Sequence, residues 1–184
     1  MITKKEKIKV GISSCLIGEK VRYDGEHKRD RLITDTFGRY FDWVPVCPEV
    51  ECGLSIPREA MHLVGTPEVP HLVTIKSNID HTEKMLQWAK KKLQELERED
   101  LCGFIFKSKS PSSGIRGVKI YHPSGKLIRK GAGLFGGAFV KYFPLLPVMD
   151  DRQLHNDRFR ENFMECAFVY KRWREFLKQD ASIK

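Results

Sequence analysis

Short apolar runs that stop at a glycine, proline or cysteine alternate along this chain with segments of helical period, and that alternation constrains the fold more than any other feature. Lys9-Val10-Gly11-Ile12-Ser13-Ser14 reads as a strand that ends at Cys15. Trp43-Val44-Pro45-Val46-Cys47 reads as a second, cut off by Pro48. Leu72–Lys76 and Gly103–Lys107 follow as a third and fourth, Val118–Tyr121 as a fifth and Leu145–Val148 as the last. Between them, apolar residues recur at helical spacing. Leu32, Ile33, Phe37 and Tyr40 mark a helix over about 29–40. Met85, Leu86, Ala89, Leu93 and Leu96 mark one capped by Asp80, and glycines at 131, 133, 136 and 137 precede a short helix through Phe139 and Tyr142. From about Asp157, Phe159, Phe163, Cys166, Ala167, Tyr170, Trp173 and Leu177 mark a long amphipathic helix.

Strands alternating with helices predict an α/β fold, a three-layer Rossmann-like arrangement with a mostly parallel sheet. The 184 residues suffice for one domain with a real core. Residues 1–150 are expected to form the α/β domain that carries the site. Residues 151–184 are expected to form a helix packed on that domain, with a second domain conceivable beyond it. In parallel sheets ligands bind beyond the carboxyl ends of the strands. Cys15, Cys47 and the loop Ser108–Gly114 each follow a strand directly, so they are expected to meet at one edge of the sheet.

Charge is unevenly placed. Residues 101–149 hold Lys107, Lys109, Arg116, Lys119, Lys126, Arg129, Lys130 and Lys141 and no carboxylate, which makes this stretch a candidate surface for phosphate or nucleic acid. A solvated basic face without a partner reads equally well from charge alone. The start of the chain is charged and lacks the apolar middle of a signal peptide. No apolar run reaches the roughly 18–20 residues of a membrane span, so a cytoplasmic protein with no membrane partner is expected. Five widely spaced cysteines, an odd number, argue against a disulfide framework in that compartment. Cys102 and Cys166 read as small buried hydrophobes.

Two cysteines at strand ends, Cys15 and Cys47, can be metal ligands, a nucleophile with its partner, or core. Cys47 and Cys52 could form a loose metal knuckle, a weak signal without further paired ligands. Glu49 lies two residues beyond Cys47, on the same side of an extended stretch, where a carboxylate can serve as general acid or base or simply face solvent. The loop from Lys107 to Gly114 gathers the hydroxyls of Ser108, Ser110, Ser112 and Ser113 with Lys109, a composition suited to an anion or a polar base edge. It lacks the glycine spacing of a phosphate-binding P-loop, and glycines 131–137 lack the setting of a dinucleotide fingerprint.

Three ordered motifs resemble the thiouracil desulfidase family, long catalogued as domain of unknown function 523. They are Ser14-Cys15-Leu16-Ile17-Gly18 with Val21-Arg22-Tyr23-Asp24-Gly25 and Lys28; Pro45-Val46-Cys47-Pro48-Glu49 with Gly53-Leu54, Pro57 and Arg58; and Lys109-Ser110-Pro111-Ser112 with Gly114. Gly131 to Phe135 and Arg152 to Phe163 are similar to the longer members, which carry a second domain and act on 4-thiouridine in tRNA. The resemblance implies a [4Fe–4S] cluster held by three cysteines with one iron open. Carried over, the ligands are Cys15, Cys47 and position 113, which is Ser113 here where the family pattern has cysteine. It further implies Glu49 as the group that activates water or shuttles protons and Ser110 as a hydrogen-bond partner of the base or developing oxyanion. Lys109, Ser112, Arg22 and Asp24 would bind substrate, a thiolated nucleobase, nucleotide or tRNA. Three readings of Ser113 compete: a replaced ligand in an otherwise intact site, a substitute thiolate from Cys52 or Cys102, or a fold that has lost its cluster. The rival functions are an RNA-binding module without catalysis and a zinc protein built on Cys15, Cys47 and Cys52.

Overall fold

A computed structural model describes residues 7–181, apart from the side chain of Arg129; the remaining residues at each end lie outside it. In chain order the elements are β1 (Ile8–Ser13), α1 (Arg31–Phe37), β2 (Phe41–Val46), α2 (Pro48–Glu51), β3 (Met61–Gly65), β4 (Pro70–Thr74), α3 (Thr82–Glu97), β5 (Phe104–Phe106), β6 (Val118–Tyr121), β7 (Leu127–Gly131), α4 (Leu134–Tyr142), β8 (Val148–Asp150) and α5 (Asp157–Ala181). Single 3₁₀ turns cover Ser14–Ile17 and Gln153–His155. Among the described residues no helix is long and apolar enough to cross a membrane.

The first sheet has the order β2-β1-β5-β8 and is parallel throughout, as expected. β1 sits inside it, and alternation along a strand decides what each face receives. Ile8, Val10 and Ile12 join Ile33 and Phe37 of α1 and Phe163 and Ala167 of α5 in one core. The opposite face packs Phe104 and Phe106 against Ala89, Leu93 and Leu96 of α3 and Phe135 and Phe139 of α4. The sheet is therefore the middle of three layers. Gly11 lies on that second face because the Phe104 ring occupies the place of a side chain there. The rings of Phe104 and Phe106 stack with centroids 4.2 Å apart, and Phe139 meets Phe104 edge-on at 4.7 Å.

A second sheet, β4-β3-β6-β7, is the part the sequence reading lacked. It consists of two antiparallel hairpins joined by parallel pairing of β3 with β6. The run around Leu72 belongs to this sheet and not to the parallel one. β3 and β7 escaped notice because each buries little: β7 leaves Leu127 and Ile128 exposed, and β3 fully buries only Leu63. Leu63, Leu72, Val118 and Ile120 of the inner face pack with Met85 of α3.

Two smaller expectations change. The last strand lies at Val148–Asp150, after Pro147, whose carbonyl accepts the Phe104 N–H while its nitrogen can donate nothing. Cys166 is exposed and not core. The stripe that α5 buries runs through Phe163 and Ala167, and a helix turns about 100° per residue, so Cys166 falls off its edge.

Gly11→Ala forces a methyl into the Phe104 ring and is expected to cost about 1–3 kcal/mol. A urea titration monitored by circular dichroism checks this, with a lower midpoint and an unchanged slope.

Candidate functional site

Parallel strands bring their carboxyl ends to one edge, so Ser13, Val46 and Phe106 deliver their following loops to the same place. A cavity of about 220 Å³ opens there. Cys15, Arg22, Cys47, Glu49, Lys109, Ser110, Ser112 and Ser113 all line it, with Ser13, Ser14, Tyr23, Arg58 and Lys107. The expected convergence is present. Asp24 stands outside the lining and holds Arg22, whose Nε and Nη2 donate to its carboxylate at 3.1 and 2.8 Å.

Each loop is held by its own local chemistry. Cys15 lies on the 3₁₀ turn, which ends at Gly18 with φ 104°, a left-handed value suited to glycine. The Cys15 carbonyl accepts the Lys28 N–H at 2.9 Å, closing the first loop back on itself. Cys47 is the N-cap of α2, with Pro48 at the first helical position, where its missing N–H is no loss. Glu51 reaches back to accept the Cys47 N–H at 2.8 Å, and its other oxygen binds Lys92 of α3 at 2.9 Å.

The serine loop is fastened by α4. The N–H groups of Leu134, Phe135 and Gly136 donate to the carbonyls of Pro111 and Ser112, and the Gly133 N–H donates to Gly114 at 2.6 Å. These helix-start donors have no partners within their own helix. A Cβ on Gly133 would lie 2.7 Å from the Ser112 carbonyl, and one on Gly136 would strike the Ser113 carbonyl. The glycines at 131–137 thus bring a helix end against the serine loop. Lys109 takes φ 60° in this loop, a conformation that side chains other than glycine rarely adopt.

Glu49 is the best-connected group in the cavity. Arg58 Nε and Nη2 donate to its Oε2 at 2.8 and 2.5 Å, and the two side chains are only 7% and 15% exposed. The Ser112 hydroxyl donates to Glu49 Oε1 at 2.7 Å, and Ser110 Oγ lies 3.0 Å from Ser112 Oγ. Ser112 has one proton and gives it to the carboxylate, so Ser110 must donate to Ser112. Ser110 in turn accepts the Ser113 N–H at 3.1 Å. A directed chain runs Ser110 to Ser112 to Glu49. Arg58, which also donates to the Val21 carbonyl at 2.8 Å, carries no site role in the sequence reading, because a single arginine nine residues past Glu49 has no periodic or spacing signal.

Burial pushes the Cys15 thiol up to about 12, with Lys107 opposing it and Cys47 adding to it. Burial likewise pushes Cys47 up to about 11. Burial is the largest influence on Asp151 and acts to raise its carboxyl, but the Lys107 ammonium at 2.6 Å and the Ser108 N–H at 2.7 Å outweigh it and hold Asp151 below the ordinary range. Cys52 does not join the cavity: its thiol donates to the Glu49 carbonyl at 3.3 Å from within the core of the second sheet. Cys102 packs in the other core, and its N–H donates to the Lys9 carbonyl near the opposite end of β1. Neither can substitute at position 113. Among the described residues no three His, Cys, Asp or Glu side chains are grouped to hold a metal, so the Cys15–Cys47–Cys52 zinc arrangement is absent. Ser113 lines the same cavity as Cys15 and Cys47, and its hydroxyl makes no hydrogen bond among the described residues.

Fold and cavity define an α/β protein with two thiols, a carboxylate and a serine chain at the carboxyl edge of a parallel sheet. The 2-thiouracil desulfurase family model matches residues 10–151, and the chain belongs to that family. The uncharacterized protein YbbK of Bacillus subtilis strain 168 is 32% identical over 108 residues, covering 56% of this chain and 71% of that protein. The solved structure of the [4Fe–4S]-dependent thiouracil desulfidase TudS, from the DUF523 group, superposes with a TM-score of 0.62 at 29% identity, covering 80% of this chain and 93% of that one.

Arg58→Met strands the Glu49 carboxylate and is expected to cost about 3–5 kcal/mol. Adding Glu49→Gln should recover part of that loss, because the buried charge is then gone. A double-mutant cycle by urea unfolding reads the coupling, and strictly additive losses would contradict it.

Proposed function

We propose that this chain is a desulfidase that exchanges the sulfur of a thiolated nucleobase for oxygen, with a [4Fe–4S] cluster seated on Cys15, Cys47 and Ser113. The observation that carries the reading is the meeting of a buried thiol, Cys15, and a half-buried one, Cys47, with a carboxylate and a serine chain in one cavity. Membership of a desulfurase family whose solved relative is [4Fe–4S]-dependent supports it.

The donor set fits a cluster at Cys15 and Cys47 by chemistry, and Ser113 lines the same cavity. The two thiols have raised pKa values, so ligation must displace their protons. Ser113 offers a harder oxygen where clusters ordinarily take a thiolate. When bound, the cluster supplies a soft iron suited to the sulfur of a thiocarbonyl.

The remaining chemistry belongs to the chain. The reaction turns a thiocarbonyl and water into a carbonyl and hydrogen sulfide without net oxidation or reduction. Ser110 keeps one lone pair after accepting the Ser113 N–H, and a water bound there passes a proton through Ser110 and Ser112 to Glu49 Oε1. Glu49 returns that proton to the leaving sulfur, and the second proton of the water follows to the sulfur by the same relay as the carbonyl forms. Arg58 fixes the carboxylate so that Oε1 stays on Ser112. In this geometry the Ser110 proton is already donated to Ser112, so Ser110 acts as a relay. Lys109 and Arg22, the latter set by Asp24, bind the polar edge or phosphate of the substrate, which ranges from thiouracil to 4-thiouridine in tRNA. The cytoplasm would keep both thiols reduced. The oxygen at 113 favours one rival, an RNA-binding module that has lost its cluster.

Anaerobic reconstitution separates the two. Ser113→Cys is expected to retain more iron and labile sulfide through gel filtration than the unaltered chain, and to release sulfide from 4-thiouracil about tenfold faster, in line with the roughly 10–100-fold that loss of even an outer partner costs a metal site. A loaded Ser113→Cys protein that frees no sulfide from 4-thiouracil or thiolated RNA would sink the proposal, as would zinc in place of iron. Glu49→Gln in that background should keep its iron while losing about 10²–10⁴-fold in rate.

A further inference from the structure

Beside the cavity lies a second groove of about 310 Å³, and Lys109 and Pro111 line both. Its floor is the outer face of the second sheet. Val118 and Ile120 of β6 point inward and are buried, which leaves Lys119 exposed and Tyr121 half-buried on the other side. His62 of β3 meets Tyr121 there, with ring centroids 5.5 Å apart. Lys130 of β7 is paired in register with Lys119. Like charges directly opposite on neighbouring strands destabilise a sheet. No carboxylate lines the groove, and among the described residues none pairs with Lys109, Lys119 or Lys130. The fold therefore tolerates a repulsive lysine pair beside two stackable rings, at the mouth of its reactive cavity. An anion relieves that repulsion, and a flat ring occupies the aromatic face.

We infer that this groove binds the nucleotides flanking the thiolated one, so that the substrate is a single-stranded stretch of RNA. Phosphates lie against Lys119, Lys130 and Lys109, and a neighbouring base stacks on Tyr121 and His62. Basic side chains that track the backbone together with aromatic rings that stack bases are the general means of holding single strands. Lys109, shared by both cavities, sets the distance between the flanking phosphate and the base in the reactive cavity. The inference rests on the desulfidase reading for the identity of the central base, but its own readout is binding and needs no cluster.

The test is fluorescence anisotropy with a labelled oligoribonucleotide of about five nucleotides carrying a central 4-thiouridine, near the lower limit of known single-strand site sizes. Lys119→Gln with Lys130→Gln should weaken binding about tenfold or more at low salt and flatten the salt dependence by about 1.4 in log–log slope. Tyr121→Leu should weaken it at every salt concentration. The lysine variants relieve like-charge repulsion, so their melting temperature is expected to hold or rise, which separates lost binding from lost folding. In cluster-loaded protein the same two substitutions should leave turnover of free 4-thiouracil unchanged. Equal affinity for 4-thiouridine monophosphate and the oligonucleotide would overturn the inference, as would unchanged oligonucleotide affinity in the lysine variant. Absence of sulfide release from every substrate would instead overturn the desulfidase reading and leave the anisotropy result standing.

Discussion

Parallel pairing of β1 with β2 on one side and β5 on the other is the constraint on which the rest of this structure depends. Parallel strands end at the same edge, so the turn with Cys15, the cap residue Cys47 and the serine loop have nowhere else to go. The pairing itself depends on packing. Gly11 gives up a side chain so that Phe104 can cover β1, and the cluster of Phe104, Phe106, Phe135 and Phe139 ties the strand beneath the serine loop to the helix that fastens that loop. A protein interior packed to near-crystalline density transmits small displacements, so the geometry of the edge and the quality of this core are linked.

At the edge, polar groups are arranged for direction as well as for contact. The Glu49–Arg58 pair is nearly dry, and such pairs stabilise little by themselves while costing much when half of one is removed. Its consequence here is orientation: with Oε2 taken by Arg58, Oε1 faces Ser112, and the proton order of Ser110 and Ser112 follows. Helix α4 performs the same service for the loop backbone, since its first N–H groups require acceptors and the loop carbonyls supply them. Cys47 touches this network at one point, where its thiol shares the Val21 carbonyl with Arg58. The thiols of Cys15 and Cys47 lie in the part of the cavity where burial disfavours charge, an environment that a cation would reverse.

Much of the candidate site was legible before any coordinates. Cys15, Cys47 and the serine loop each followed an apolar run of strand length, and an α/β alternation places such loops together. Glu49 was legible by its proximity to Cys47. Arg58 was not, because its partners lie nine residues away at Glu49 and thirty-seven away at Val21, and no periodicity links them. The second sheet was hidden for a related reason. β3 and β7 are half-exposed strands with histidine, arginine and lysine in them, so their apolar alternation is weak, and they exist because partner strands supply the hydrogen bonds. Cys166 failed in the opposite direction: its spacing matched a buried stripe, but the neighbours that α5 meets cover only part of that stripe.

The chain by itself determined the α/β alternation, the order of the motifs, the basic stretch without carboxylates and the serine at position 113, because composition, spacing and residue identity are local properties. Only the tertiary structure decided that Cys52 and Cys102 lie in separate cores away from the cavity, that Asp24 braces Arg22 outside it, that Ser110 already donates its proton to Ser112, and that Lys119 and Lys130 face each other beside the cavity mouth. Each of those facts joins residues distant in sequence or sets the direction of a hydrogen bond, and such relations arise only once the strands have paired and the side chains have competed for the same space.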